Sequence, residues 1–245
     1  AVCGGRGPPA RPPCPPPPAA RQDSPGGGGA ELEVAPRGDR AGGAFGIALD
    51  GVSKVFGSRA VVDGISISIQ EGEIVGLLGP NGAGKSTTFS MIVGTQVPTR
   101  GSVWLEDGGG GARSDITHLP LHRRARMGLG YLPQDASIFR GLSVHDNLLL
   151  AMEASGVPPE SRAGKLKVLL EEFGLEHVSS TPGRALSGGE RRRAELARAL
   201  AVEYGGRCAR LLLVDEPFAG VDPIGVTELQ GLLRQLRDTR GVGVL

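Results

Sequence analysis

GPNGAGKS, residues 79–86, limits what this chain can fold into more than any other stretch. Its glycines let the backbone turn so that several N–H groups point at one anion. The spacing satisfies G-x-x-x-x-G-K-[ST] in full. EIVGLLG (73–79) stands before it, a near-continuous apolar run expected to be a central strand covered on both faces. KSTTFSMIV (85–93) follows, a predicted helix ending near Gly94, whose N-terminus presents the positive end of its dipole to the same phosphate. Lys85 offers a mobile cation to the β- and γ-phosphates, and Ser86 a hydroxyl to Mg²⁺. A glycine-rich surface turn is the plain alternative, and the flanking strand and helix argue against it.

LLLVDEPFAGVDP (211–223) runs four aliphatic residues into two adjacent carboxylates, Asp215 and Glu216. A buried carboxylate is costly unless something positive meets it. Beside a phosphate loop, that partner is Mg²⁺ held by the strand-end Asp215 together with the loop hydroxyl. Glu216 is expected to leave the strand on the other side, free to orient or deprotonate an attacking water. A strand end with two solvated acids is the alternative.

LSGGE (186–190) opens a predicted helix over 188–204, with Ala194, Ala197, Leu200, Ala201 and Tyr204 on one face. Ser187, Gly188 and Gly189 expose N–H groups at its N-terminus, a second anion site. Taken alone, these residues read more naturally as a serine N-cap with glycine spacers. Arg191, Arg192 and Arg193 oppose the helix dipole in its first turn, and a solvated charged face is the simplest reading of them.

The remaining pattern is α/β. IALDGVSKVFG (47–57) and GISISIQEGE (64–73) read as two short antiparallel strands. GSVWLED (101–107) reads as a strand, DGGGGARSD (107–115) as a flexible loop insertion, and GLGYLPQ (128–134) as a strand running into a loop. Residues 143–180 read as two helices split by GVPPE. VTELQGLLRQLRD (226–238) is an amphipathic helix, and GVGVL (241–245) begins a further strand. Together they predict a phosphate-loop NTPase core sheet, an antiparallel N-terminal β subdomain and an inserted helical subdomain at about 143–200. Residues 1–44, dominated by Gly, Pro, Ala and Arg, form an expected disordered low-complexity tail ahead of a domain over 45–245. With 27 basic and 26 acidic side chains the net charge is +1, so no global field favours nucleic acid. No run approaches the roughly 18 apolar residues of a membrane span. Cys3, Cys14 and Cys208 have no metal-binding spacing.

The phosphate loop, Gln134 in YLPQ, LSGGE and VDEP resemble the nucleotide-binding subunits of ATP-binding cassette (ABC) transporters, over about residues 46–245. GLLGPNGAGKSTTFSMIVG, LPLHRRARMGLGYLPQDASIFRGLSVHDNL, LSGGERRRAELARAL and DEPFAGVDPIGV look closely like the bacterial lipopolysaccharide-export ATP-binding subunits. The resemblance implies ATP and Mg²⁺ as cofactors. Gly79, Pro80, Asn81, Gly82, Ala83, Gly84, Lys85, Ser86 and Thr87 would hold the nucleotide, and Phe56 would stack on adenine. Ser86, Gln134 and Asp215 would hold the metal, with Glu216 and Gln134 catalytic. Ser187, Gly188, Gly189 and Asp222 would meet the nucleotide across a homodimer. Integral membrane subunits would dock near Phe139 and Arg140, placing the chain peripherally on the cytoplasmic face of an inner membrane, or on the stromal side of a plastid envelope.

The family places a histidine just after the strand that GVGVL begins. The four histidines here, His118, His122, His145 and His177, all precede Asp215. The sequence is therefore expected to lack its C-terminal end, with ATP binding better supported than hydrolysis. A non-transport ABC ATPase and a nucleotide-binding regulator without turnover are the rival readings.

Overall fold

The computed structural model describes residues 33–34, 44–108, 113–204 and 207–245. Most of the stretch read as a tail thus lies outside the described residues, as do residues 109–112 of the glycine-rich insertion. Its one described element before Ala44 is β1 (Glu33–Val34).

Two long strands, β2 (Phe45–Phe56) and β3 (Arg59–Gln70), pair antiparallel. Each runs 12 residues, longer than the sequence pattern suggested, because register shifts between Leu49 and Val55 let the ladder continue past its irregular positions. β4 (Leu77–Leu78) pairs with β1, and α1 (Lys85–Val93) follows the phosphate loop and closes at Gly94 in the left-handed region. β5 (Arg100–Asp107) extends the antiparallel sheet, and β6 (Arg113–Asp115) adds its edge. Part of the stretch read as a loop is therefore a strand. Arg-Ser-Asp carries no apolar alternation, and only pairing to Trp104–Glu106 makes it one.

After α2 (Leu121–Arg126) and β7 (Leu129–Leu132) come three helices: α3 (Val144–Ser155), α4 (Pro159–Glu172) and α5 (Gly188–Ala201). Ser143 caps α3 by accepting the Asp146 N–H, Gly156 ends it in the left-handed region, and Pro159 opens α4 at its first turn. The α5 helix stops at Ala201, where Val202 turns extended. Tyr204 lies in β8 (Glu203–Tyr204), paired with β9 (Arg207–Cys208), and not on the helix. The chain then runs through β10 (Leu211–Val214), α6 (Pro223–Arg240) and β11 (Gly243–Val244).

The parallel sheet has the order β11-β10-β7. Its β10 strand separates two cores by simple alternation. Leu211 and Leu213 pack with β2, β5 and α1, while Leu212 and Val214 pack with α3, α4, α5 and α6. That is why LLLV is apolar throughout. EIVGLLG is less covered than expected for a strand buried on both faces. It meets β11 through Ile74 and Val244, its β4 part pairs with β1, and Ile74 and Leu78 are exposed while Val75 is buried. An apolar run alone does not tell how many faces are covered.

Arg124 is a buried cation in this framework. Its guanidinium donates to the carbonyls of Met91 and Ile92 at the C-terminus of α1, and to those of Thr117 and Leu119. Burial lowers its pKa to about 10. The helix that follows the glycine-rich loop at one end is thereby fixed at the other by a positive charge against its negative pole. No helix among the described residues is long and apolar enough to cross a membrane.

Candidate nucleotide site

The loop 79–84 and the ends of β7 and β10 meet at the carboxyl edge of the parallel sheet, where open α/β sheets bind ligands. A cleft of about 340 Å³ opens there, lined by Val61, Asn81, Gly82, Gly84, Lys85, Ser86, Thr87, Gln134 and Glu216. Gly84 stands at the N-cap of α1 with φ 90°, and a Cβ there would lie 2.6 Å from the Val61 carbonyl oxygen. Only glycine fits both the conformation and the space. The Lys85 ammonium donates to the carbonyls of Gly79 (2.7 Å) and Pro80 (3.0 Å), so it stays over the loop that would bind the anion.

Asp215 follows β10 and is buried, with its N–H continuing the ladder to the Leu132 carbonyl. Burial pushes its carboxyl up from the ordinary 3.8; the Glu216 charge adds to this, while Arg192 and Lys85 oppose it. The folded state therefore binds the Asp215 proton more tightly than the unfolded chain does. This contribution to stability is full below the ordinary value and is lost as pH rises through the folded one. Ser86 and Gln134 line the cleft, and with the Asp215 carboxylate they make a set of hard oxygen donors of the kind that suits Mg²⁺. Asp215→Asn is thus expected to raise the melting temperature of the nucleotide-free protein by a few degrees. The extra stabilisation by Mg–ATP over ATP alone should vanish. Thermal melts with ATP, with and without Mg²⁺, read both effects, and an unchanged Mg²⁺ response would remove Asp215 from the metal set.

Glu216 has φ 46°, the one non-glycine residue with positive φ among the described residues. That backbone costs about 1–2 kcal/mol and persists only where the surroundings enforce it. Its carboxylate accepts from Gln134 Nε2 at 2.7 Å, joining the loop after β7 to the loop after β10.

The enforcing residue is Arg192, which the sequence reading left on a solvated face. It is buried, and its guanidinium donates to the carbonyls of Pro133 (2.9 Å), Asp215 (3.1 Å), Glu216 (3.4 Å) and Pro217 (3.2 Å). It pairs with buried Glu195 at 3.0 Å. The available signal was the three-residue spacing of Arg192 and Glu195, on the same side of the helix as the buried alanines.

Other expected site residues lie outside the cleft. Phe56 is 47% exposed at the end of β2, beneath the Lys54 ammonium, so it is not a core residue. Ser187 caps α5 in a capping box with Glu190, while a Cβ on Gly189 would meet open space. Asp222 caps α6 by accepting the N–H groups of Ile224 and Gly225, which hold its carboxyl below the usual range. Phe139 is half exposed under the Arg198 guanidinium, 5.3 Å from its ring centre, and Arg140 is exposed.

A phosphate loop at a sheet's carboxyl edge, facing a buried aspartate and a glutamate, defines a nucleotide-binding α/β module. Residues 62–219 match the model of the ABC transporter family. The chain belongs to that family as an ATP-binding domain. It is 51% identical over 192 residues to the lipopolysaccharide export system ATP-binding protein LptB of Acidithiobacillus ferridurans, covering 78% of this chain and 75% of that one. To LptB of Escherichia coli K12 it is 49% identical over 195 residues, covering 79% and 76%. To a probable ABC transporter ATP-binding protein of Azorhizobium caulinodans it is 50% identical over 199 residues; this chain spans 66% of that protein's length and 81% of its own. Among solved structures, cbiO1 from Clostridium perfringens, part of the ABC transporter complex cbiONQ, superposes with TM-score 0.68 at 26% identity, covering 82% of this chain and 77% of that one. The ADP conformation of MJ1267, an ATP-binding cassette of an ABC transporter, gives 0.65 at 26% identity, covering 81% and 78%.

Proposed function

We propose that this chain is the ATP-hydrolysing subunit of a transporter that exports lipopolysaccharide, or a related lipid, through integral membrane subunits. The observation that carries the enzymatic part is the Gln134–Glu216 hydrogen bond at the mouth of the phosphate cleft. It sets an acceptor for a proton beside an amide able to orient water. The cargo rests on the LptB relatives.

Gly79–Thr87 would hold the triphosphate, with Phe56 against adenine. Ser86, Gln134 and Asp215 would hold Mg²⁺, which when bound neutralises charge on the transferring phosphoryl group. Glu216 takes the proton of a water that attacks the γ-phosphorus. The bond to the β-phosphate oxygen breaks, and the electron pair leaves with ADP. Ser187, Gly188, Gly189 and Asp222 complete a second copy's site in an ATP-bound homodimer, so loss of the γ-phosphate opens the pair. The groove beside Phe139 and Arg140 receives the membrane subunits, on the cytoplasmic face of an inner membrane or the stromal side of a plastid envelope.

The test is reconstitution. The membrane subunits retained by the native protein are placed in lipopolysaccharide-containing vesicles. ATP is expected to release the lipid to an acceptor, and Phe139→Ala to reduce release about tenfold by weakening the dock. ATP turnover without lipid release overturns the cargo. Association with ribosomes or DNA in place of membrane subunits overturns the transporter.

A further inference from the structure

A groove of about 510 Å³ runs between α2, β7, α3 and α5, its walls including Phe139, Leu150, Ala154, Arg198 and Ala199. Glu195 reaches it too, yet that residue is only 2% exposed. Its carboxylate accepts the N–H groups of Ser137 (2.7 Å) and Ile138 (3.2 Å), while buried Asn147 accepts that of Phe139 (2.8 Å). Three consecutive amides, the last that of groove-lining Phe139, are thus held by two buried side chains. The other oxygen of Glu195 binds Arg192, whose remaining donors hold the carbonyls of Pro133, Asp215, Glu216 and Pro217.

We propose that Glu195, acting through Arg192, couples occupancy of this groove to the catalytic carboxylate Glu216, by a route separate from the Gln134 contact. Neither residue lines the nucleotide cleft, so both are positioning residues. A buried ion pair of this kind moves as a unit, because separating it would leave two desolvated charges. Displacing Phe139 pulls the amides of Ser137 and Ile138, and Glu195 transmits the pull to Arg192. Arg192 then shifts the carbonyls flanking a residue already at φ 46°, where a small backbone movement re-aims the carboxylate. Charged groups facing the pair include Arg198, whose pKa burial lowers and Glu195 raises, and Asp215. The inference rests on the ATPase reading above.

The test occupies the groove directly. In the full native chain with its cysteines replaced by serine, Ala154→Cys is labelled with fluorescein maleimide, and kcat and KM for ATP are measured before and after. Labelling is expected to change kcat at least threefold and KM less than twofold. With Glu195→Gln, and again with Arg192→Lys, the response to the label should shrink below 1.5-fold. An equal response in all backgrounds, or none with Glu195 and Arg192 intact, overturns the relay. Hydrogen exchange on the labelled chain with Glu195 and Arg192 intact needs neither variant to fold. Peptides spanning 133–139 and 213–221 should both change, and a change confined to the first overturns the inference. A chain that never turns over ATP defeats the ATPase reading instead, while exchange still reads the relay.

Discussion

Replacing Glu216 with glutamine is expected to lower ATP turnover by about 10²–10⁴-fold, the usual share of a general base. ATP affinity should be nearly unchanged. The substitution keeps the side chain's length, and its amide oxygen can still accept from Gln134 Nε2. It leaves the φ 46° backbone as it is, so the loop remains held by Arg192. Only the proton acceptor is removed. ATP should then stay bound between two copies, and size-exclusion chromatography with ATP should show a dimer that the unaltered protein forms only transiently. If neither ATP retention nor dimerisation changes, the catalytic assignment of Glu216 fails. Glu216→Gly separates chemistry from strain. It should also stop turnover, yet stabilise the fold by about 1 kcal/mol, since glycine accepts positive φ freely.

Gly84→Ala should lower ATP affinity about a hundredfold, or about 3 kcal/mol. Two costs add: a left-handed conformation for an L side chain, at about 1–2 kcal/mol, and overpacking, at about 1–3 kcal/mol. The new methyl would stand 2.6 Å from the Val61 carbonyl oxygen and 2.9 Å from Val62 Cγ2, both on β3, which is tied to β2 by its ladder. Gly82 offers the internal comparison. Its φ is also positive, at 85°, but a Cβ there would meet nothing within 4 Å. Gly82→Ala should lose only about tenfold. Isothermal titration with ATP reads both, and equal losses would show that conformation, not the close approach to β3, sets the requirement at Gly84.

The two motifs with dense local chemistry were legible in the sequence. GPNGAGKS implied a turn, an anion and a following helix, and α1 runs over Lys85–Val93 as read. LLLV implied a buried strand, and β10 is one. What escaped was set by partners distant in the chain. Arg113–Asp115 became a strand only through β5, and the exposure of Ile74 and Leu78 in EIVGLLG depends on what packs over them, which their own apolar run does not reveal. Arg192 was hidden among three arginines that composition cannot tell apart. Its burial follows from Glu195, Pro133 and Asp215, which are up to 59 residues away. Val61 in the cleft wall carried no chemical signal at all, being one of two adjacent valines on β3.

The alternation of β10 between two cores has a bearing on recombination. Loops are the natural crossover points when homologous domains are shuffled, yet here the seam between the lobes runs along one strand. A donor helical lobe must accept Leu212 and Val214 as they stand, and a donor sheet lobe must accept Leu211 and Leu213. Chimeras joined between β7 and α3 and again before β10 therefore inherit half of a core from each parent. Their compatibility is decided by two aliphatic side chains that lie one to four residues before Asp215 and Glu216.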